Sequence, residues 1–192
     1  MKNNSPEEIW NKIKESENIL LSLHFRPDGD SLGSCLAMKY LIERDLNKKV
    51  TLVSKDNLSD YIEDFSDKDI LFNKSIDDLD LSKFDLLIFL DSAARNSSVN
   101  NFPENIFKIN IDHHDTNPFY GNLNYVDAEA PSACSILLDL FKQLNVEFDN
   151  KLCKNLLLGI ITDSGFFQNR NQPPKAMKQA AFLIETGQIG LS

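Results

Sequence analysis

The sequence predicts an α/β fold in which a mostly parallel sheet of about five strands carries helices on both faces. Apolar runs typical of buried strands at 18–24 and 49–54 enclose a stretch of helical periodicity at 31–46. A strand, a helix and a strand in succession form a βαβ unit, whose crossover makes the two strands parallel. The 192 residues suit one domain, which we assign to 1–187, with a tail at 188–192.

The other elements have their own local signals. The first helix is predicted to begin at Pro6 and to end near Glu17, because Ser5 and Glu8 supply the two halves of a capping box. The clearest strand is the apolar run at 84–90. The remaining predicted elements are a short helix at 58–65, strands at 70–72 and 106–111, and helices at 132–144, 150–161 and 174–186.

Composition excludes several classes of protein. The net charge of −9 argues against a broad nucleic-acid-binding face, because such faces depend on clustered Lys and Arg. Cys35, Cys134 and Cys153 form no Cys-x-x-Cys pair, so we predict reduced core residues and not a thiolate zinc site. The N-terminus lacks the apolar run of a signal peptide, and no run is long enough to span a bilayer. We therefore expect a cytoplasmic protein that does not contact membranes.

Polar residues follow three of the predicted strands directly: His24, Asp91 and Asp112. In open α/β sheets, sites form beyond the carboxyl ends of the strands, so we expect these residues to meet at one edge. The chain has three histidines, and all lie at these ends or beside them. The histidines and aspartates that we predict to converge are His24, His113, His114, Asp28, Asp30, Asp91, Asp112 and Asp163.

Each of these residues has an ordinary explanation when it is taken alone. The Pro-Asp-Gly sequence around Asp28 is typical of a turn, and Asp91 or Asp163 would suit a helix cap. Together, however, so many like charges in one site need cations to stay ionised. Carboxylates and imidazoles without thiolates favour Mn²⁺, then Mg²⁺, Fe²⁺ or Zn²⁺. Six or so donors exceed the need of one ion, so we predict two ions that share a carboxylate, as in two-metal phosphoryl chemistry.

The same segments resemble the DHH phosphoesterase superfamily, named for an Asp-His-His motif, and are most similar to its oligoribonuclease/pAp phosphatase branch. The resemblance extends from Asn18 to Gly187. The matching motifs, in chain order, are His24 with Asp28, Asp30 and Gly33; Asp91; Asp112-His113-His114 with Asn117; and Thr162-Asp163-Ser164-Gly165-Phe166.

The resemblance implies a metal-ligand set. His24 and Asp28 would hold one ion, Asp91 would bridge the two ions, and the ligands of the second ion would be Asp30, His113 and Asp163. Both ions are expected to be Mn²⁺, with Mg²⁺, Fe²⁺ and Zn²⁺ as alternatives.

The resemblance also implies roles in catalysis and substrate binding. His114 would contact the substrate phosphate, and Asp112 would complete the catalytic pair by orienting the histidines. Asn117 and Arg95 are assigned to substrate binding as well. For Arg95, an exposed loop residue with no contact to substrate is an equally open reading.

The implied function is hydrolysis of the phosphate esters of short oligonucleotides or nucleoside phosphates, such as pAp or cyclic-dinucleotide products. Two alternatives stay open. In the first, the chain is a metal-containing domain that binds a nucleotide or a protein without catalysing a reaction. In the second, it is a manganese inorganic pyrophosphatase, which its first motif resembles less than it resembles the oligoribonuclease/pAp phosphatase branch.

A second, C-terminal domain that closes over the site is a further feature of the superfamily, and it carries a Gly-Gly-His type motif. The residues from Gly187 to Ser192 contain no such motif. We therefore expect this lid domain to be missing from a fragment, supplied by a separate partner, or dispensable. An open sheet edge would also permit a homodimer.

Overall fold

The computed structural model describes residues 2–93, 106–169 and 173–190. Its six strands are β1 (Ile19–Ser22), β2 (Val50–Ser54), β3 (Leu71–Phe72), β4 (Leu86–Leu90), β5 (Phe107–Asp112) and β6 (Leu123–Val126). They form a single sheet in the order β3-β2-β1-β4-β5-β6, and every neighbouring pair is parallel. The predicted α/β class and parallel sheet are confirmed.

In the ranges given above, five α-helices accompany the sheet: α1 (Pro6–Glu15), α2 (Gly29–Leu46), α3 (Ala133–Gln143), α4 (Asn150–Asp163) and α5 (Pro173–Thr186). The predicted capping box at α1 is present, with Ser5 and Glu8 bonded to each other's backbone N–H. Among the described residues, no helix combines the length and the apolar character needed to cross a membrane.

The structure corrects two details of the prediction. The sheet has six strands instead of about five, because β6 was missed. The strand has four residues, of which Asn124 is buried with its amide paired to the backbone of Gly121, while Leu123 and Tyr125 pack against the core only partly buried, so the sequence shows no apolar run there. The short helix predicted at 58–65 is limited to a 3-10 turn at Glu63–Phe65.

The two faces of the sheet are covered differently. Leu21 and Ile88 belong to a large apolar cluster to which all five α-helices contribute. Leu20 and Phe89, on the other face, join a smaller cluster with Ile76 from a 3-10 turn. Within the described residues, the predicted helical cover therefore consists of α-helices on one face and 3-10 turns on the other.

The strand order has a reversal point between β1 and β4. From β1 the chain moves outward to β2 and β3, and it then returns to β4 on the other side of β1. A crevice opens at such a reversal, beyond the carboxyl ends of the two central strands. His24 follows β1 and Asp91 follows β4, so both residues lie at this crevice.

The N-terminal residues cover the β6 edge of the sheet. The backbone N–H of Asn4 donates to the Asn124 carbonyl at 2.9 Å, and the Asn3 side chain bonds both backbone groups of Val126. A sheet edge with satisfied backbone groups is a poor template for pairing. If copies of the chain pair by their sheets, the pairing would therefore use the β3 edge.

Helices α2 and α4 pack closely because glycines line their contact. A Cβ atom on Gly33 would lie 2.5 Å from the backbone oxygen of Asn155, and a Cβ atom on Gly159 would overlap a carboxylate oxygen of Asp30. Neither position has room for a side chain unless the helices move apart. This close contact positions the first turn of α2 against the last turn of α4.

We expect Gly33→Ala to lower the free energy of unfolding by about 1–3 kcal/mol, because the added methyl group meets backbone and cannot be relieved by a side-chain rotation. Urea unfolding of both proteins measures the difference. Gly190→Ala is the matched control, since a Cβ atom there meets nothing within 4 Å. Equal losses in the two variants would contradict the close-packing explanation.

Candidate metal centre

Asp91 lies at the middle of the candidate site. It follows β4 directly, has a φ of +50°, and is only 2% exposed. One carboxylate oxygen, Oδ2, is 3.3 Å from Nε2 of His24, and the other, Oδ1, is 3.3 Å from Nε2 of His113. A left-handed backbone at a non-glycine residue costs about 1–3 kcal/mol and is found mostly at functional sites. Here it turns the carboxylate between the two imidazoles.

His24 and Asp28 form one side of the site. Nδ1 of His24 lies 2.9 Å from the Phe25 carbonyl, which only accepts hydrogen bonds, so Nδ1 carries a proton and Nε2 faces the site. That Nε2 is 3.6 Å from Asp28. Asp28 caps α2 by accepting hydrogen bonds from the N–H groups of Asp30 and Ser31, which hold its carboxylate in place.

Asp30, His113 and Asp163 form the other side. Nε2 of His113 is 3.7 Å from Oδ2 of Asp163, the last residue of α4. The buried Asp30 carboxylate accepts hydrogen bonds from the N–H groups of Ala133 and Cys134 at 2.6 and 2.9 Å, in the first turn of α3. Each oxygen of an ionised carboxylate has a second lone pair, so Asp30 retains the capacity to bind a cation.

Asp112 supports the histidine pair from within the sheet. Its Oδ1 accepts hydrogen bonds from Nδ1 of His114 at 2.7 Å and from the backbone N–H of His113 at 2.9 Å. The side-chain amide of Asn117 donates both to Asp112 and, at 2.8 Å, to Asn110. Asp112 thus fixes the orientation of the His114 ring, whose Nε2 makes no part of this hydrogen bond.

The carboxylates repel one another strongly. Burial and the charge of Asp91 raise the pKa of Asp30 to about 7, although the charge of His113 opposes the increase. Burial also raises the pKa of Asp163 to about 6. Burial alone would do the same at Asp112, yet hydrogen bonds from its neighbours lower the pKa of that group below its usual value. Two of the acids therefore resist ionisation unless positive charge is supplied.

The histidines respond in the opposite direction. Burial lowers the pKa of His24, but hydrogen bonds and charge from two aspartates outweigh burial and raise that pKa to about 11. Burial likewise lowers the pKa of His113, and three surrounding carboxylates raise it to about 10. The hydrogen bond to Asp112 raises the pKa of His114. Without another cation, the site therefore gathers protons on its imidazoles.

The residues present fit two divalent cations. Within the described parts of the chain, the ion pairs of these carboxylates are made with histidines, and none is made with Lys or Arg. Oδ1 of Asp91 is buried and accepts no hydrogen bond. Such an atom is costly unless a ligand satisfies it. The donor atoms fall into three overlapping sets, and within each set the atoms lie within 4.8 Å of one another. The sets are His24, Asp28 and Asp91; Asp30, His113 and Asp163; and Asp91, His113 and His114.

All the site residues predicted from the sequence converge, with two exceptions. Asn117 lies behind Asp112 with its amide already bonded, and its carbonyl oxygen accepts from the N–H of Phe119. Its assignment to substrate binding stays a prediction, although the hydrogen bonds indicate a supporting role. Arg95 lies outside the described residues.

Several supporting residues were not predicted. Asn110 connects Asn117 to Tyr120 and to the carbonyl of Ser92, the residue after Asp91. The signal in the sequence is weak, because Asn110 is one of three polar residues that alternate with apolar ones along β5, and only its burial shows that the amide needs partners. The first turn of α3, which donates to Asp30, had no signal beyond its capping serine.

Comparisons with known proteins agree with this geometry. The family model of the DHH family N-terminal domain matches residues 18–160. The "Bifunctional oligoribonuclease and PAP phosphatase NrnA" of Thermus thermophilus is 32% identical over 97% of this chain and 58% of its own length. The protein of the same name from Bacillus subtilis is 28% identical over 93% of this chain and 56% of its own length. The chain thus spans a little over half the length of these curated relatives.

The fold recurs in solved structures. The crystal structure of an exopolyphosphatase-related protein from Bacteroides fragilis superposes with a TM-score of 0.76 and 19% identity, over 97% of this chain and 61% of that one. Because the family model covers most of the chain and includes the Asp-His-His segment, the chain belongs to the DHH family, whose N-terminal domain it contains.

Proposed function

We propose that this chain is the catalytic domain of a phosphoesterase that uses two divalent cations. The single observation that carries the proposal is the position of Asp91, whose two carboxylate oxygens face different imidazoles while Oδ1 is buried without a hydrogen bond. A carboxylate in that position suits a bridge between two ions. Its neighbours supply separate donor sets on either side.

His24 and Asp28 would hold one ion, and Asp30, His113 and Asp163 would hold the other. Two ions in such a site activate water and neutralise the negative charge that develops on a phosphoryl group. The protein's own part is to fix the donors beforehand: the capping bonds of Asp28 and the N–H groups that bind Asp30 restrict both carboxylates. Preorganised groups need no rearrangement when the reaction occurs.

His114 would contact the substrate. Asp112 holds the proton on its Nδ1, and the raised pKa favours the doubly protonated imidazolium. In that form Nε2 donates a hydrogen bond to a phosphate oxygen and stabilises its charge. Asp112 and Asn117 act through His114, so they are positioning residues in this proposal.

The proposed substrates are short oligonucleotides and nucleoside phosphates such as pAp. Relatives from Thermus thermophilus and Bacillus subtilis named as oligoribonuclease and PAP phosphatase align with nearly the whole chain, which supports this choice. The metal is proposed to be Mn²⁺, on the basis of a donor set of carboxylates and imidazoles without thiolates. The net charge of −9 also fits a small substrate bound through cations better than a long polyanion bound by the surface.

The proposal is tested by adding Mn²⁺ and measuring mononucleotide release from a dinucleotide and phosphate release from pAp. We expect turnover of at least one substrate, and Asp91→Asn should reduce it at least about 100-fold, more than the roughly 10- to 100-fold loss usual for residues behind metal ligands. The stoichiometry of bound Mn²⁺ should fall as well, because the shared ligand is lost.

Asp64→Asn serves as the matched control, since it removes an equal charge from an exposed 3-10 turn. If neither nucleotide is hydrolysed once metal loading has been verified, the proposal is contradicted, and a domain that binds without catalysis is favoured. Pyrophosphate is included as a third substrate, and its exclusive hydrolysis would favour the pyrophosphatase alternative.

Mn²⁺ binding is expected to release protons, so its apparent affinity should increase between about pH 6 and pH 8. In the metal-free protein the pKa values of His24 and His113 are raised to about 11 and about 10, so both are protonated at neutral pH. Each imidazole must lose a proton before it binds an ion. Titration calorimetry in two buffers of different ionisation enthalpy measures the number released.

The matched variant for this measurement is His24→Asn, which removes one of the two titrating imidazoles. Proton release should then decrease by about one. Release near zero in the unmodified protein would show that the histidines do not bind the ion.

A further inference from the structure

Two exposed phenyl rings belong to residues that are close in sequence to ligands of the proposed metal centre. Phe25 is 46% exposed and follows His24, while Phe166 is 68% exposed and lies three residues after Asp163. Contacts connect His24 to Asp91, Asp91 to His113, and His113 to Asp163. Phe25 and Phe166 therefore follow, within three residues, the two ends of this series of contacts.

The backbone holds Phe166 outward. Its φ is +56°, and its neighbours Gly165 and Phe167 have φ values of +58° and +65°. The N–H of Phe166 donates to the Ile161 carbonyl at 2.9 Å, and the N–H of Phe167 donates to Oγ of Ser164 at 3.1 Å. Left-handed backbone at a bulky residue costs about 1–3 kcal/mol and persists only where surrounding contacts enforce it. These bonds therefore hold the backbone of the loop, and the Phe166 ring is left exposed on it.

The loop after β1 has a related arrangement. Arg26 has a φ of +55°, and its N–H donates to a carboxylate oxygen of Asp56 at 2.9 Å. The guanidinium of Arg26 lies over the Phe25 ring, 5.3 Å from its centroid. A positive charge above an exposed ring, beside a site for phosphate chemistry, suits a ligand that has both a flat aromatic part and negative charge.

We propose that Phe166, together with Phe25 and its covering Arg26, forms stacking surfaces for the nucleobases on either side of the phosphate that is cleaved. The inference rests on the proposed function, and it explains how the same site would select nucleotides over small inorganic phosphates. Every nucleobase has a π-face, so stacking tolerates any base sequence, which suits an enzyme acting on mixed short oligonucleotides. Arg26 is placed to attract an adjoining phosphate.

The deciding experiment compares pAp with its base-free analogue, in which hydrogen replaces adenine on the sugar bisphosphate. For the unmodified protein, kcat/KM should be higher for pAp. Phe166→Ala should reduce the ratio of the two kcat/KM values about tenfold, the size expected for one lost base stack, and Phe166→Trp should retain the ratio. Tyr61→Ala, which removes a ring that is 62% exposed on another loop, is the matched control and should leave the ratio unchanged.

Other outcomes overturn the inference. Equal losses for pAp and for the analogue would mean that Phe166 packs against another part of the protein. Because pAp carries one base, which could stack on either ring, an unchanged ratio in both Phe166→Ala and Phe25→Ala would mean that no base stacks at these rings. If the unmodified protein hydrolyses neither compound, the proposed function fails separately. In that case, calorimetry with Mn²⁺ present compares the affinities for AMP and for ribose 5-phosphate. Tighter binding of AMP that is lost in Phe166→Ala supports base stacking, and equal affinities overturn it.

Discussion

Repulsion among five carboxylates at one edge of the sheet is the constraint that organises the surrounding structure. Asp28 and Asp30 are stabilised by N–H groups at the starts of α2 and α3, where helix dipoles favour negative charge. Asp112 is stabilised by its own hydrogen bonds. Asp91 has no such donor on Oδ1, and its charge acts on both Asp30 and Asp163. Hydrogen bonds therefore stabilise three of the five acids and leave the central one with an oxygen that a cation could satisfy.

The fold makes this arrangement possible by bringing together segments that are far apart in sequence. Strands β1 and β4 are neighbours only because the chain reverses direction across the sheet. Residues from their carboxyl ends meet those of β5 and the end of α4, a separation of 139 positions between His24 and Asp163. Helices on one face and the buried amide network behind Asp112 then hold the segments in register. The donors are therefore positioned before any ligand arrives.

Some residues of the site could be predicted from the sequence and others could not, depending on whether their role leaves a local pattern in the sequence. His24 and Asp91 could be predicted because an apolar strand that ends in a charged residue is visible in the sequence, and parallel strands share their carboxyl edge. The strand β6 was missed because it has only four residues, and its buried Asn124 interrupts the apolar residues Leu123 and Tyr125, which pack against the core. The role of Asn110 depends on three partners from separate segments, and such three-dimensional contacts leave no periodic pattern. The exposure of the Phe166 ring could not be predicted, because it depends on left-handed backbone angles that the sequence does not reveal.

The glycine contact between α2 and α4 has a consequence for the chemistry. A Cβ atom on Gly29 would overlap the Thr162 side chain, and Gly33 is equally close to the backbone of α4 one turn further along. Asp30 lies in the first turn of α2 and Asp163 ends α4, so the distance between their carboxylates depends on how closely the two backbones approach. Ions of different radius require different gaps. If the site holds two ions as proposed, its preference among metals would depend also on residues buried in the helix interface, and substitutions there would alter that preference while leaving every ligand intact.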